Sequence, residues 1–269
     1  MISLPIPDPS SPAAFGDLIV GNEPLGPLVE SLTKGKISRK MRAHLDPDLE
    51  PGMLPRQPGW RAIFGQTGAA AGHLKTRGVG MGDLFLYFGW FREAEKLKGR
   101  WHFQKNAPDL HILFGWLQVG EVVPLDASVH VLPEWMQEHP HCHGDRGPNN
   151  TLYIAKKCLD LTLPESMGEA CPGSGVFGRY HSNLVLTRPG ETRCHWALPA
   201  WFHPEGRPTV LSYHDKPKRW QRVGNRTHLH SVARGQEFVL DLEDYPEALP
   251  WLRSLFAIAA PCSMAADQV

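Results

Sequence analysis

No stretch of this 269-residue chain approaches the roughly 20 consecutive apolar residues needed to cross a bilayer, so no membrane partner is expected. Net charge is missing as well, because 28 Lys and Arg balance 28 Asp and Glu. An anionic partner must then be met by a local patch rather than by a global field. This argues against a non-specific, salt-driven nucleic-acid coat protein, while a single nucleotide read in a pocket stays open. The cysteines, Cys142, Cys158, Cys171, Cys194 and Cys262, contain no C-x-x-C pair. An odd, widely spaced set reads as a reduced intracellular chain. The opening Met1-Ile-Ser-Leu-Pro-Ile-Pro7 has neither a basic start nor a long apolar stretch, so no signal peptide is expected and the reading is a soluble cytoplasmic protein. There is no internal repeat and no Walker-type Gly-x-x-x-x-Gly-Lys-Ser/Thr, which argues against hydrolysis of nucleoside triphosphates.

What is present changes character along the chain. The first third is punctuated by proline and glycine, with one helix expected over 26–32 and a polar loop over 34–59, and it reads as a wrapping segment rather than a sheet. From Gly78 onward two apolar runs, 84–91 and 110–123, look like buried strands, separated by a Lys- and Arg-rich segment and Trp101-His-Phe103. Residues 151–155, 183–187, 209–213 and 237–242 read as further strands, and 246–260 as a closing helix. Glycines inside the strands mark bulges or sharp coiling. The expected fold is α+β: a curved, partly closed mixed β-sheet or small barrel with peripheral helices. One domain over 1–269 is expected, with 78–125 forming the central barrel-like strands.

Gly82-Asp83 ahead of one strand, and Gly115-Trp-Leu-Gln-Val-Gly-Glu-Val122 in the next, resemble the strand pattern of PUA-like domains, including the ASCH and EVE groups. That resemblance implies a pocket for RNA or a modified base. Longer strings cover nearly the whole chain: Ser3-Leu-Pro-Ile-Pro-Asp8, His44-Leu-Asp-Pro-Asp-Leu49, Phe64-Gly-Gln-Thr-Gly-Ala-Ala70, His73-Leu74, Gly82 through Phe91, His139-Pro-His141 and Asn149-Asn-Thr-Leu-Tyr153. Gly175-Val-Phe177, Leu211-Ser-Tyr-His214 and Arg234-Gly-Gln-Glu-Phe238 continue the set. Together they resemble the nucleotide modification associated domain 3 family, which implies a role in making or processing modified nucleotides. The family pattern also has a strand and a Ser-Arg-Lys-Gly-Phe-Asp loop ahead of Leu-Pro-Ile-Pro-Asp, where this chain starts. The expectation is a site short of that strand.

Several residues could carry chemistry. Glu138-His-Pro-His-Cys-His-Gly-Asp145 gathers imidazoles, a thiol and carboxylates, a composition suited to a divalent transition metal, although an exposed polar loop has the same composition. Of its histidines, His139 and His141 fall in the family-like string and are the expected ligands. His44-Leu-Asp46 has the His-x-Asp spacing of the two-histidine, one-carboxylate site of non-haem iron oxygenases and would need a distant histidine such as His139 or His181. The alternative is an aspartate capping a turn. Gln66 and His73 flank a glycine- and alanine-rich run suited either to a phosphate at a helix N-terminus or to tight packing.

Trp90, Phe91, Trp101, Trp116 and Trp135 could stack on a base or fill the core. Lys218 and Arg219, beside Trp220, sit in a basic stretch over 216–226 that could track phosphates or stay solvated. Asn149 and Asn150 could read a base edge or simply turn the chain. The expected site gathers Asp46, Gln66, His73, Asp83, His139, His141 and Asn150. Asp46, His73 and His139 are the candidate acid and base groups, and Gln66, Asp83, Trp90, Trp116, Asn149, Asn150, Lys218 and Arg219 the nucleotide contacts. The functional expectation is an enzyme or accessory factor of nucleotide or nucleic-acid base modification that binds a nucleotide or modified base, with action on it left open. The rivals are a non-catalytic reader of a flipped modified base and a non-haem iron oxygenase.

Overall fold

The computed structural model describes residues 1–125, 132–161, 171–232 and 237–259. Residues 1–62 carry only two-residue strands, β1 (Ile6–Pro7), β2 (Ile19–Val20), β3 (Glu23–Pro24) and β4 (Ala43–His44), around helix α1 (Leu25–Leu32). Proline and glycine density keeps longer ladders from forming there. The chain continues through β5 (Ile63–Gln66), α2 (Gly68–Thr76), β6 (Leu84–Phe91), the hairpin β7 (Ala94–Leu97) and β8 (Arg100–Phe103), and the long β9 (Leu110–Pro124). After α3 (Glu134–Gln137) follow β10 (Thr151–Ala155), β11 (Ser174–Val176), β12 (His195–Pro199), β13 (Trp220–Val223), β14 (Arg226–His230) and α4 (Ala248–Ala259).

The central sheet runs β11-β9-β10-β5, with β6 also paired to β9, and each of these pairings is antiparallel. One of the bulges falls on a glycine, as expected. The β9–β10 register slips between Ile154 and Ala155, which leaves Gly120 unpaired. A second slip between Tyr87 and Phe88 leaves Phe114 over in the β6–β9 ladder. An extra residue on one strand bends and twists it, so the sheet curls into a half-barrel with helices at its periphery. A three-stranded sheet, β12-β14-β13, stands beside it.

Three expected strands do not form. Residues 183–187 contribute a 3₁₀ turn, Ser182–Leu184, and single bridges from Val185 to Ile112 and from Thr187 to Trp196. Residues 209–213 turn back on themselves, with Tyr213 at φ 68. Residues 237–242 form no ladder: Ser212 and Val239 share only one backbone bond, from the Ser212 N–H to the Val239 carbonyl (3.0 Å). The Arg234 string lies partly outside the described residues.

Trp116 is fully buried among Phe177 and Phe256, with ring centroids at 5.1 Å in both cases, and its indole N–H donates to the Pro172 carbonyl (3.0 Å). It is core and offers no face to a base. Cys142, Cys158 and Cys194 are free thiols, whereas Cys171 is disulfide-bonded, a departure from the fully reduced chain expected. Among the described residues no helix is long and apolar enough to cross a membrane.

His111 adds a pH-sensitive contact to this core. Its Nδ1 accepts the Trp196 indole N–H at 3.0 Å, which requires the neutral ring, and burial followed by the charge of Arg193 lowers its pKa to about 4. The unfolded chain binds this proton below the ordinary histidine value of 6.5 while the folded chain does not, so stability is complete above that value and declines as pH falls towards 4. After a discount for partial solvent access, the contribution is about 2 kcal/mol. His111→Gln keeps an acceptor without the titration. Urea unfolding across this window should show its pH dependence reduced by that amount; an unchanged profile would refute the assignment.

Candidate functional site

The short ladders of the N-terminal third build one wall of the site. Ile6 pairs with His44 in the β1–β4 ladder, which sets Asp8 and Asp46 beside the same histidine. Two tight turns follow, with the Leu45 N–H bonded to the Ala43 carbonyl and the Asp46 N–H to the His44 carbonyl (3.0 Å each), and they bring the His44 and Asp46 side chains to one cluster. Asp48 then bridges to Ile63 through two backbone bonds, which seats Asp46 against β5, where the Gly65 N–H donates to Asp46 Oδ1 (2.9 Å).

The histidine loop supplies the opposite wall. It forms a 3₁₀ turn, Pro140–Cys142, in which the His139 Nδ1 accepts the backbone N–H of His141 (3.3 Å). His141 is clamped by Asn150: its Nδ1–H donates to Asn150 Oδ1 (2.7 Å), and Asn150 Nδ2 donates back to the His141 carbonyl (2.9 Å). The His141 ring lies flat over Gly65, where a Cβ would come within 2.4 Å of it.

The result is three imidazoles around one buried carboxylate. His139 Nε2 stands 3.4 Å from Asp46 Oδ1, His141 Nε2 3.4 Å from Oδ2, and His44 Nε2 3.7 Å from Oδ2. Burial opposes the charge of Asp46, but the close approach of His139, His141 and His44 prevails and holds its pKa well below the usual value. Burial likewise opposes protonation of His44, and the carboxylates of Asp46 and Asp8 overcome it, raising its pKa. Asp8 bonds His44 Nδ1 (2.8 Å) and Arg146 (2.8 Å); burial works against its charge, yet these partners lower its pKa to about 2.

The partners of the ring nitrogens divide the histidines into two kinds. In His44 and His141 the Nδ1–H is given to an oxygen, of Asp8 and Asn150 respectively, which turns Nε2 towards Asp46 as the donor atom. In His139 the Nδ1 is an acceptor, so the neutral ring carries its proton on Nε2, and that buried atom has no aligned hydrogen-bond partner despite its approach to Asp46. One ligand atom each from His44, Asp46 and His141 lies within 4.8 Å of the others, which suits a single metal ion. Two histidines and one carboxylate leave coordination positions open. Burial pushes the Cys142 thiol up to about 11 while it donates to the Met136 carbonyl, and His143 bonds the Gln137 carbonyl, so neither joins the group.

The three donors face a cleft of about 2300 Å³ inside the half-barrel, which Phe64, Tyr87 and Trp90 also line. His139, 2 % exposed, does not line the cleft and sits behind the other rings. The Tyr87 hydroxyl is buried without a hydrogen-bond partner among the described residues; burial and then the charge of Asp46 raise its pKa well above the usual value.

The other expected site residues are scattered. Gln66 lines the cleft but is engaged, donating to Glu237 (2.8 Å) and accepting the Thr67 N–H. His73 bonds the Ser212 hydroxyl (2.9 Å) and packs on Tyr213, which ties α2 to the 209–213 turn, away from the Asp46 cluster. Asp83 lines the cleft and accepts the Gly80 N–H of its own turn. Asn149 takes φ 61 in the turn before β10. Lys218 and Arg219 form the 3₁₀ turn Pro217–Arg219 and line no part of the cleft. His181 caps the Asn183 N–H and stays outside the cluster. Sequence reasoning missed Asp8, Gly65, Tyr87 and Arg146; the first three fall inside the family-like strings.

The family model of nucleotide modification associated domain 3 matches residues 1–241, most of the chain. No curated protein and no solved structure gave a match. The chain belongs to the nucleotide modification associated domain 3 family.

Proposed function

We propose that this member of the nucleotide modification associated domain 3 family is a metal-dependent enzyme that modifies a nucleotide or nucleic-acid base inside the aromatic-lined cleft. The observation that carries the reading is the convergence of His44, Asp46 and His141 on that cleft, with both imidazoles oriented by Asp8 and Asn150. Two nitrogens and one carboxylate with open positions are the donor set of non-haem iron(II) sites, so iron(II) is the first ion to test. Bound there, it would supply Lewis-acid or redox chemistry. The chain's own residues hold, orient and shield: Asn150 and Asp8 fix the ring tautomers, His139 stands behind Asp46 as a positioning residue, and Phe64 and Tyr87 wall the cleft.

The test is metal stoichiometry of the purified chain, loaded anaerobically with iron(II) and separately with zinc(II). One ion per chain is expected, with loss of binding in His44→Ala and His141→Ala. His139→Gln should keep the stoichiometry and weaken affinity about 10- to 100-fold, the usual cost of an outer-shell partner. Absence of saturable binding, or binding that survives His44→Ala and His141→Ala together, would sink the metal reading and leave the cluster a buried ion network.

A further inference from the structure

We infer that the β7–β8 hairpin and the cleft rim beside it form a docking surface for single-stranded nucleic acid, which delivers its base to the cleft as part of a polynucleotide. The inference rests on the reading of that cleft as nucleotide-handling and names its substrate class.

Charge is the first observation. Within 92–105 the chain carries Arg92, Lys96, Lys98, Arg100 and Lys105 against Glu93 and Glu95, an excess of three positive charges in a protein whose net charge is zero. All of these side chains are exposed, and none of the five cations forms an ion pair with a described residue. Free cations on a surface are suited to phosphates, whose neutralisation releases counterions.

Aromatic exposure is the second. Trp90 is 62 % and Phe103 45 % exposed, and both line the cleft together with Trp101. Cations accompany the rings: Arg193 lies 4.2 Å over Trp90, Arg92 5.8 Å from Phe103 and Lys96 5.9 Å from Trp101. Exposed rings interleaved with cations provide stacking faces for bases beside contacts for the backbone. Bases can stack on such rings only when they are unpaired, which selects a single strand over a duplex.

Rigidity is the third. Lys98 and Gly99, at φ 49 and 78, close a tight turn, and Ser31 of α1 donates to the Trp101 carbonyl (2.9 Å). The platform is pre-formed, so little ordering accompanies binding. The basic stretch over 216–226 lines no part of the cleft, so the hairpin is the basic surface that communicates with the Asp46 cluster.

The test is fluorescence anisotropy of the full-length chain with a short labelled single-stranded oligonucleotide, the matching duplex and a mononucleotide, without added metal. The single strand should bind more tightly than either of the others. Trp90→Ala should weaken it about 5- to 150-fold. Lys96→Ala, Lys98→Ala and Arg100→Ala combined should lower the slope of log affinity against log salt by about 2. Iron(II) loading of these variants should match that of the unsubstituted chain, which separates failure of this surface from failure of the metal centre. Equal affinity for mononucleotide and oligonucleotide, binding unchanged in the triple variant, or equal competition by polyglutamate would each overturn the proposal.

Discussion

Asparagine in place of Asp46 is expected to lower divalent-metal affinity by at least about 100-fold while leaving the chain folded, since a direct ligand outweighs the outer-shell partners whose loss costs 10- to 100-fold. Asparagine keeps the size of the side chain and an oxygen for the Gly65 N–H, so the link to β5 survives. What it removes is the one carboxylate in the donor set of His44, Asp46 and His141. The new amide nitrogen, in place of Oδ2, would point a donor at His141 Nε2, 3.4 Å away, and occupy the lone pair that an ion needs. The Gly65 N–H keeps its acceptor, so the stability loss should be near the ~1 kcal/mol of a single hydrogen bond. Calorimetric titration with iron(II), alongside thermal unfolding of the same sample, reads both effects. Affinity within a few-fold of the parent would show that Asp46 is not a ligand.

Gly65→Ala should be nearly as damaging to binding, and considerably more so to stability. Its Cβ would sit 2.4 Å from both Cγ and Cδ2 of His141 and 2.9 Å from Nδ1. The ring cannot slide aside, because Asn150 holds it at Nδ1 and at its carbonyl, and His141 is only 5 % exposed. Either β5 shifts away from β10 or His141 leaves the cluster. Overpacking of this kind costs about 1–3 kcal/mol, and both outcomes separate the donors. Gly52→Ala, where an added Cβ meets nothing within 4 Å, is the matched control. A Gly65→Ala chain that melts with the parent and binds one ion normally would contradict the close packing on which the site depends.

Much of the framework was legible because it is encoded locally. The aromatic run over 84–91 and the apolar run over 110–123 carry their strand character in their own composition, and the glycine at 120 marked the bulge that curls the sheet. The segments over 183–187, 209–213 and 237–242 have similar composition, but they pack against finished sheets at single bridges or side-chain bonds, and strand propensity cannot announce whether a partner edge is free. Trp116 and Trp90 show the same limit. Identical residue types on the same face of one sheet, since Trp90 lies four residues along β6 from Leu86, the partner of Trp116, end 62 % exposed and fully buried, a difference set by what packs over each and not by strand alternation.

The site divides in the same way. Sequence by itself determined the family strings, the balanced charge, and the His-x-Asp pair of His44 and Asp46. Only the tertiary structure decided which distant histidine joins them. His141 comes to Asp46 because β5 pairs with β10 beside the histidine loop and Gly65 leaves room for its ring, while His139 and His141, two residues apart, receive opposite tautomers from a backbone N–H and an Asn150 oxygen. Spacing along a chain can set side-chain direction within one element, but ligand geometry depends on hydrogen-bond partners that arrive from other elements, and those exist only once the sheet has closed.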